Sequence, residues 1–349
     1  MSFKYRRNIP YIGEEEKKAV ADVIDSGMVV RGKKVEEFEN RFKELVNKKY
    51  AVMTSNCTVA LQLALEMLKK EIQPDNVIIP DYTFTATGNA VLNVDMLPLL
   101  CDVNMETYNM NPNWAELHNY CDDILMPVHC FGNPCDLKGT EKEFFVIEDA
   151  ACAIGSEGIG YGDIQCFSLH GAKIITTGIG GILTTNNRDW AETILRLCKA
   201  DRPYFNKQAY NYQISDINAA IGIEQLKKLK FIVSRRRELA KRYNDLFKNL
   251  LSESFHLQET KGSNYQSYVV MIHQSIKDKI MNHLIQNDIE ACIGTYSLSL
   301  LPYFKQKGNC LNGNKLFYQQ ICLPLYPQMT EQDQDYIVEK FREGIQRYG

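Results

Sequence analysis

Residues 144–149 read Phe-Phe-Val-Ile-Glu-Asp, an uninterrupted apolar run that ends on two acids. A strand without polar alternation needs cover on both faces, which points to the interior of a parallel sheet flanked by helices. The first two thirds of the chain agree. Short apolar runs at 77–79, 97–103 and 124–128 alternate with helical stripes. One stripe is Ala19, Val20, Val23 and Ile24, stopping before Gly27; a second is Val35, Phe38, Phe42 and Leu45; a third is Ala60, Leu61, Ala64, Leu65 and Leu68. The third is entered through Ser55, Asn56 and Thr58, residues suited to capping a helix. Strands alternating with helices predict an α/β fold with a mostly parallel sheet covered on both sides.

Beyond residue 164 the pattern changes. Residues 164–185 combine short strands with a dense Gly/Thr turn, and a long helix follows with Ile217, Ala220, Ile221 and Leu226 on one face. From about residue 255, a strand at 268–272 and helices at 277–286 and 331–347 predict a small α+β unit. The 349 residues suffice for two domains, expected as a large one over 1–240 and a small C-terminal one over 241–349.

Charge excludes some partners. With 40 Lys+Arg against 43 Asp+Glu the chain has no field to hold a nucleic acid or an anionic membrane. The run Arg235-Arg236-Arg237 reads as the solvated face of a mixed helix. No stretch approaches the roughly 18 uncharged apolar residues of a membrane span. The eleven cysteines include no Cys-x-x-Cys pair, so no metal is expected, and Cys101, Cys166 and Cys322 read as small core residues. The N-terminal residues carry charge with no apolar segment behind it, so a reduced, soluble, cytoplasmic protein is expected.

Three features carry chemistry. Asp149 follows the apolar run, at the strand end where α/β sheets collect ligands; an acid there suits a metal, a ribose or a protonated ring nitrogen, or simply caps the strand. Lys173 lies among small and apolar residues (His170-Gly171-Ala172-Lys173-Ile174-Ile175-Thr176-Thr177-Gly178), and partial desolvation there favours the neutral amine that a Schiff base needs. Residues 54–61 (Thr-Ser-Asn-Cys-Thr-Val-Ala-Leu) open a helix with small polar residues, offering N–H groups and a positive dipole end to a phosphate. A phosphate cradle, a strand-end acid and then a lysine is the order of a pyridoxal-phosphate (PLP) site.

On these segments, together with Pro80-Asp81-Tyr82-Thr83-Phe84-Thr85-Ala86-Thr87-Gly88-Asn89, Glu148-Asp149-Ala150-Ala151, Tyr210-Asn211-Tyr212 and Leu323-Pro324-Leu325-Tyr326-Pro327, the chain resembles the DegT/DnrJ/EryC/StrS sugar-nucleotide aminotransferases over nearly its whole length. The resemblance implies a fold-type-I PLP aminotransferase: a large domain with a mostly parallel seven-stranded sheet plus a small C-terminal α+β domain. It implies Lys173 as the covalent anchor and proton carrier, Asp149 opposite the pyridinium nitrogen, and Phe84 stacked on the ring. It also implies the N–H groups of Cys57 and Thr58, with the Ser168 hydroxyl, around the phosphate. Asn211 would reach that phosphate from a neighbouring subunit, giving a homodimer with shared active sites. Departures from the family pattern are Cys57 for a glycine, Cys152 where Gln, His or Glu contacts the cofactor's phenolic oxygen, Ile179 for Glu, and Gln213 for Arg.

The motifs look most like perosamine- and viosamine-type enzymes, which implies a nucleotide-linked 4-keto-6-deoxyhexose aminated at C4, with L-glutamate as donor. Amination at C3, or a non-catalytic binding homologue, are the alternatives. The family's dehydratase branch carries histidine in place of Lys173, and cysteine desulfurases carry histidine directly before their lysine; neither matches here. Pocket walls are expected from residues 26–32, Tyr296 and His129, with Arg31 either gripping the diphosphate or lying exposed in its loop.

Overall fold

A computed structural model describes residues 3–74, 76–111, 123–138, 144–199, 209–250, 255–304 and 310–349. In chain order α1 (Glu14–Ser26) and α2 (Lys33–Leu45) precede β1 (Tyr50–Thr54) and α3 (Cys57–Ile72). Then follow β2 (Asn76–Pro80), β3 (Tyr82–Thr83), α4 (Thr85–Leu92), β4 (Leu97–Cys101), β5 (Ile124–Leu125), β6 (Phe145–Asp149), β7 (Ile164–Ser168) and β8 (Gly181–Thr185). Two helices come next, α5 (Arg188–Cys198) and the long α6 (Asp216–Phe247). The remainder is β9 (Phe255–Leu257), β10 (Tyr268–Ile272), α7 (Gln274–Gln286), β11 (Cys292–Ile293), β12 (Tyr296–Ser297), α8 (Leu311–Gln319), β13 (Gln320–Leu323) and α9 (Glu331–Tyr348).

Local chemistry sets many boundaries. Gly27 ends α1 in the left-handed region (φ 70°), its N–H bonded to the Ile24 carbonyl. Asn56 caps α3 by accepting from the Val59 N–H, and Ser215 caps α6 by accepting from the Asn218 N–H. The start of α2 is capped from a distance: the Asp216 carboxylate accepts from the N–H groups of Gly32, Lys34 and Val35. Two elements do not stand out in the sequence. β1 is short, and α4 carries Thr85, Thr87, Gly88 and Asn89, poor helix formers overridden by burial of Ala90 and Val91.

The seven-stranded sheet has the order β1-β8-β7-β6-β5-β2-β4. Its neighbours are parallel except around β8, which runs antiparallel to β7 and β1. Both faces are covered, as the run at 144–149 predicts. Val52, Cys166 and Leu183 belong to a core with α3 and α5, while the adjacent Met53, Phe167 and Ile182 point into another with α2 and α6. A second sheet, β11-β13-β10-β9, is antiparallel and packs with the end of α6, α7 and α9 around Tyr243, Phe247, Tyr268 and Phe341. The N-terminal segment lies with this second sheet: Tyr5 bridges to Ile289, and the Leu325 N–H bonds the Arg7 carbonyl. Position 240, the expected division, falls inside α6. The pair β12/β3 ties residues 296–297 to 82–83. Among the described residues no helix is long and apolar enough to cross a membrane.

The basic run at 235–237 corrects the sequence reading. Arg236 is only 2% exposed and donates to the carbonyls of Tyr265 and Gln266 and to the Asn8 side chain. A helix this long has an inward face, and the segment 264–266 folds over it. Burial lowers the Arg236 guanidinium to about 10.

Candidate active site

The carboxyl ends of β6 and β7 meet the N-terminus of α3, the place where α/β sheets bind ligands. Asp149 closes β6 and is 4% exposed. Its Oδ2 accepts from the Thr87 hydroxyl at 2.8 Å and its Oδ1 from the Ala151 N–H at 3.1 Å. Thr87 is itself held by Thr83 at the end of β3, 2.9 Å away. Burial raises the Asp149 carboxyl above its ordinary value, opposed by the Thr87 and Ala151 bonds and by Lys173. The sequence reading overlooked Thr87, although Thr83 and Thr87 stand four apart in a quoted motif.

Lys173 is half-buried, and its Nζ donates to the Cys152 Sγ at 3.1 Å. The expectation that desolvation favours the neutral amine is corrected. Burial does push that way, but Cys152, Cys57 and Asp149 outweigh it and hold the ammonium above its ordinary value. The two carbonyls before Lys173 are clamped from outside the sheet. Asn8 Nδ2 donates to the Gly171 carbonyl at 3.3 Å, and Gln266 Nε2 to the Ala172 carbonyl at 2.9 Å. Arg236 holds both donors, through the Asn8 Oδ1 and the Gln266 carbonyl. No local signal marks this clamp, because each of its members is more than 60 residues from Lys173 in the chain.

Cys57 opens α3, buried, and its thiol is raised by burial and by Asp149 and lowered by Lys173, which places it in the same pocket. Gly181 makes room for this helix start: a Cβ there would meet the Asn56 carbonyl group and the Cys57 nitrogen. Thr58 follows, half-buried, and Ser168 ends β7, buried. Phe84, just before α4, is 62% exposed, with the Tyr296 ring 6.0 Å away. Tyr296 therefore does stand beside the expected stacking residue. Asn211 is exposed; Ile179 is 60% exposed, and Gln213 donates to Asn211 at 3.4 Å. His170 is exposed, its Nδ1 accepting from the Ala172 N–H.

Two expected pocket residues are elsewhere. The Arg31 side chain is 8% exposed and pairs with Glu39 at 2.5 Å, also donating to the Met53 carbonyl. It neither grips a diphosphate nor lies exposed; it fastens α2 to β1, and Glu39 accepts from the Met53 N–H as well. His129 is fully buried. Its Nδ1 accepts from the Cys135 N–H at 3.0 Å, so Nε2 bears hydrogen and donates to Glu148 at 2.8 Å. With both nitrogens engaged beneath the surface it offers no wall to a substrate. Glu148 also accepts from the N–H groups of Gly160 and Gly162, which hold it below its ordinary value together with His129 and against burial.

These side chains fit PLP. A buried carboxylate with only neutral hydrogen-bond donors leaves room for a cationic partner, as a protonated ring nitrogen is. The amine of Lys173 shares that pocket, a helix N-terminus suits a phosphate, and an exposed aromatic ring suits a planar one.

A model of the DegT/DnrJ/EryC1/StrS aminotransferase family matches residues 10–342. The GDP-perosamine synthase of Escherichia coli O157:H7 is 31% identical, over 96% of this chain and 96% of its own. The spore coat polysaccharide biosynthesis protein SpsC of Bacillus subtilis is 29% identical, over 97% and 96%. Among solved structures, the aminotransferase TlmJ from Streptoalloteichus hindustanus is 26% identical, with 98% and 99% of the two chains covered and a TM-score of 0.91.

Proposed function

The chain belongs to the DegT/DnrJ/EryC1/StrS aminotransferase family, and from that premise we propose that this PLP-dependent sugar aminotransferase moves the amino group of L-glutamate to the C4 keto group of a nucleotide-linked 4-keto-6-deoxyhexose. The observation that carries the chemistry is the convergence of Lys173, Cys152, Cys57 and Asp149 on one pocket. The C4 position is supported by the motifs at 54–61 and 170–178 and by the likeness to a protein named GDP-perosamine synthase.

When bound, PLP supplies an electron sink for the negative charge that develops at the carbon carrying the migrating nitrogen. Lys173 would anchor it and carry the proton at Nζ from donor carbon to acceptor carbon. Asp149, fixed in rotation by Thr87 and Ala151, would face the ring nitrogen and hold its proton. Cys57, Thr58 and Ser168 would take the phosphate, Phe84 would cover one ring face, and Cys152 would occupy the position from which the family's Gln, His or Glu contacts the phenolic oxygen. Tyr296 beside Phe84 would help to seat the sugar. Asn211 would complete the phosphate site of a second subunit in a homodimer.

The test is a product analysis. Purified protein is incubated with L-glutamate and, in turn, the GDP-, dTDP- and UDP-linked 4-keto-6-deoxyhexoses, and NMR locates the amine-bearing carbon. The expected position is C4, and a 3-amino product overturns that assignment. Lys173→Ala is expected to lose both the cofactor's visible absorbance and all turnover; transamination by that variant would overturn the assignment of Lys173.

A further inference from the structure

Cys292 on β11 and Cys322 on β13 are direct Cα partners in an antiparallel pair. Residues so placed project to the same face with Cα atoms about 4.5–5.5 Å apart, and a disulfide requires about 4.4–6.8 Å. The strand register therefore already meets that geometric requirement, and both residues are free thiols here. Cys292 is half-buried and Cys322 only 2% exposed. The Arg7 Nη1 donates to the Cys292 Sγ at 3.4 Å.

The two sulfurs are not equivalent. A hydrogen bond from Cys322, joined by Arg7, holds the Cys292 thiol well below its ordinary value, against burial and the Glu290 carboxylate. The same bond, with burial, pushes Cys322 far up, so that it keeps its proton. Elsewhere burial raises Cys101, Cys130 and Cys166, which leaves them inert. Towards peroxide the reactive sulfur is the Cys292 thiolate, and Cys322 can resolve the product provided its proton passes to the departing hydroxide as its sulfur attacks.

We propose that Cys292 and Cys322 are a redox site, converted to a cross-strand disulfide by a peroxide and returned to thiols by a dithiol reductant. In the first step the Cys292 thiolate attacks a peroxide oxygen. An S–O bond forms, the O–O bond breaks, hydroxide leaves, and sulfur is oxidised to a sulfenic acid as the peroxide is reduced. In the second, the Cys322 sulfur attacks Cys292. An S–S bond forms, the S–O bond breaks, and the leaving hydroxide departs as water with the Cys322 proton. The sum is two thiols and one hydrogen peroxide giving one disulfide and two waters. Neither cysteine is among the residues proposed above to hold PLP, and the pairing does not depend on the substrate proposed there.

The experiment treats the PLP-loaded protein with hydrogen peroxide, alkylates the remaining thiols and maps the peptides by mass spectrometry. The expected result is a loss of two titratable thiols and a peptide joining Cys292 to Cys322, reversed by dithiothreitol. In Cys322→Ser the reaction is expected to stop at a Cys292 sulfenic acid that dimedone captures. Arg7→Met is expected to slow the wild-type reaction several-fold at neutral pH. An unmodified Cys292, a bridge to another cysteine, or over-oxidation of Cys292 without a bridge in the wild type would each overturn the proposal. Absence of the dimedone adduct in Cys322→Ser would overturn Cys292 as the attacking sulfur.

Discussion

Asp149 is buried with a hydroxyl and an amide as its hydrogen-bond donors, so its ionised form costs free energy in the cofactor-free protein. The sign of the pH effect follows. Its carboxyl lies above the ordinary value in the folded state, so the unfolded chain releases this proton at lower pH than the folded one. Below the ordinary aspartate range both states are protonated and the penalty is absent; it sets in as pH rises and is complete above the folded value. Asp149→Asn keeps the shape, and the Thr83–Thr87 hydroxyl pair can turn to accept from the new amide. That variant is expected to stabilise the cofactor-free protein by about 1 kcal/mol at pH 8, with the gain shrinking towards acid pH, while transamination falls by orders of magnitude. Melting curves of the two cofactor-free proteins across pH check this. A variant that is less stable at pH 8 would contradict the burial argument.

Among the elements, α3 and β8 shape the proposed phosphate site. The helix contributes its N-terminal N–H groups, and β8 contributes Gly181, whose missing side chain lets the Asn56–Cys57 peptide lie against the sheet. The atoms in the way of an added methyl are backbone, which cannot swing aside. Gly181→Ala is therefore expected to push the start of α3 outward, at about 1–3 kcal/mol of overpacking. Cofactor affinity should weaken about tenfold or more, which corresponds to at least ~1.4 kcal/mol. Absorbance titration of the cofactor-free variant with PLP measures it, and unchanged affinity would show that this helix start does not hold the phosphate.

At the scale of the whole molecule, Asn211 bears on assembly. Tyr210 and Tyr212 stack at 4.8 Å, and their N–H groups bond the carbonyls of Leu197 and Cys198, so the backbone presents Asn211 outward. Exposed apolar residues lie near the same helix start. Asp216 binds the Val30 carbonyl and Asn218 the Ile179 carbonyl, with Val30 70% and Ile179 60% exposed. A symmetric dimer would cover them and bring each Asn211 to the other subunit's site. Light scattering is expected to give twice the chain mass. Co-expressed Lys173→Ala and Asn211→Ala chains should recover activity that neither has alone, because one site of the mixed dimer is then intact. A fully active monomer would exclude shared sites.

What the sequence determined by itself acts within one element. The apolar run at 144–149 demands cover on two faces whatever surrounds it, Asn56 caps its own helix, and Gly27 ends one; from these the layered α/β fold follows, and the order of helix start, strand-end acid and lysine marks the candidate site. The tertiary structure decided what happens to charges and to partners distant in the chain. Arg31, His129 and Arg236 read as surface or pocket residues, yet each is buried against groups the sequence does not point to, because the cost of burying them is offset only by those partners. The clamp on Lys173 joins residues 8, 236 and 266, and the Cys292–Cys322 pairing is a strand register. Neither leaves a periodic trace, since periodicity records which face of an element is apolar and not which other element closes over it.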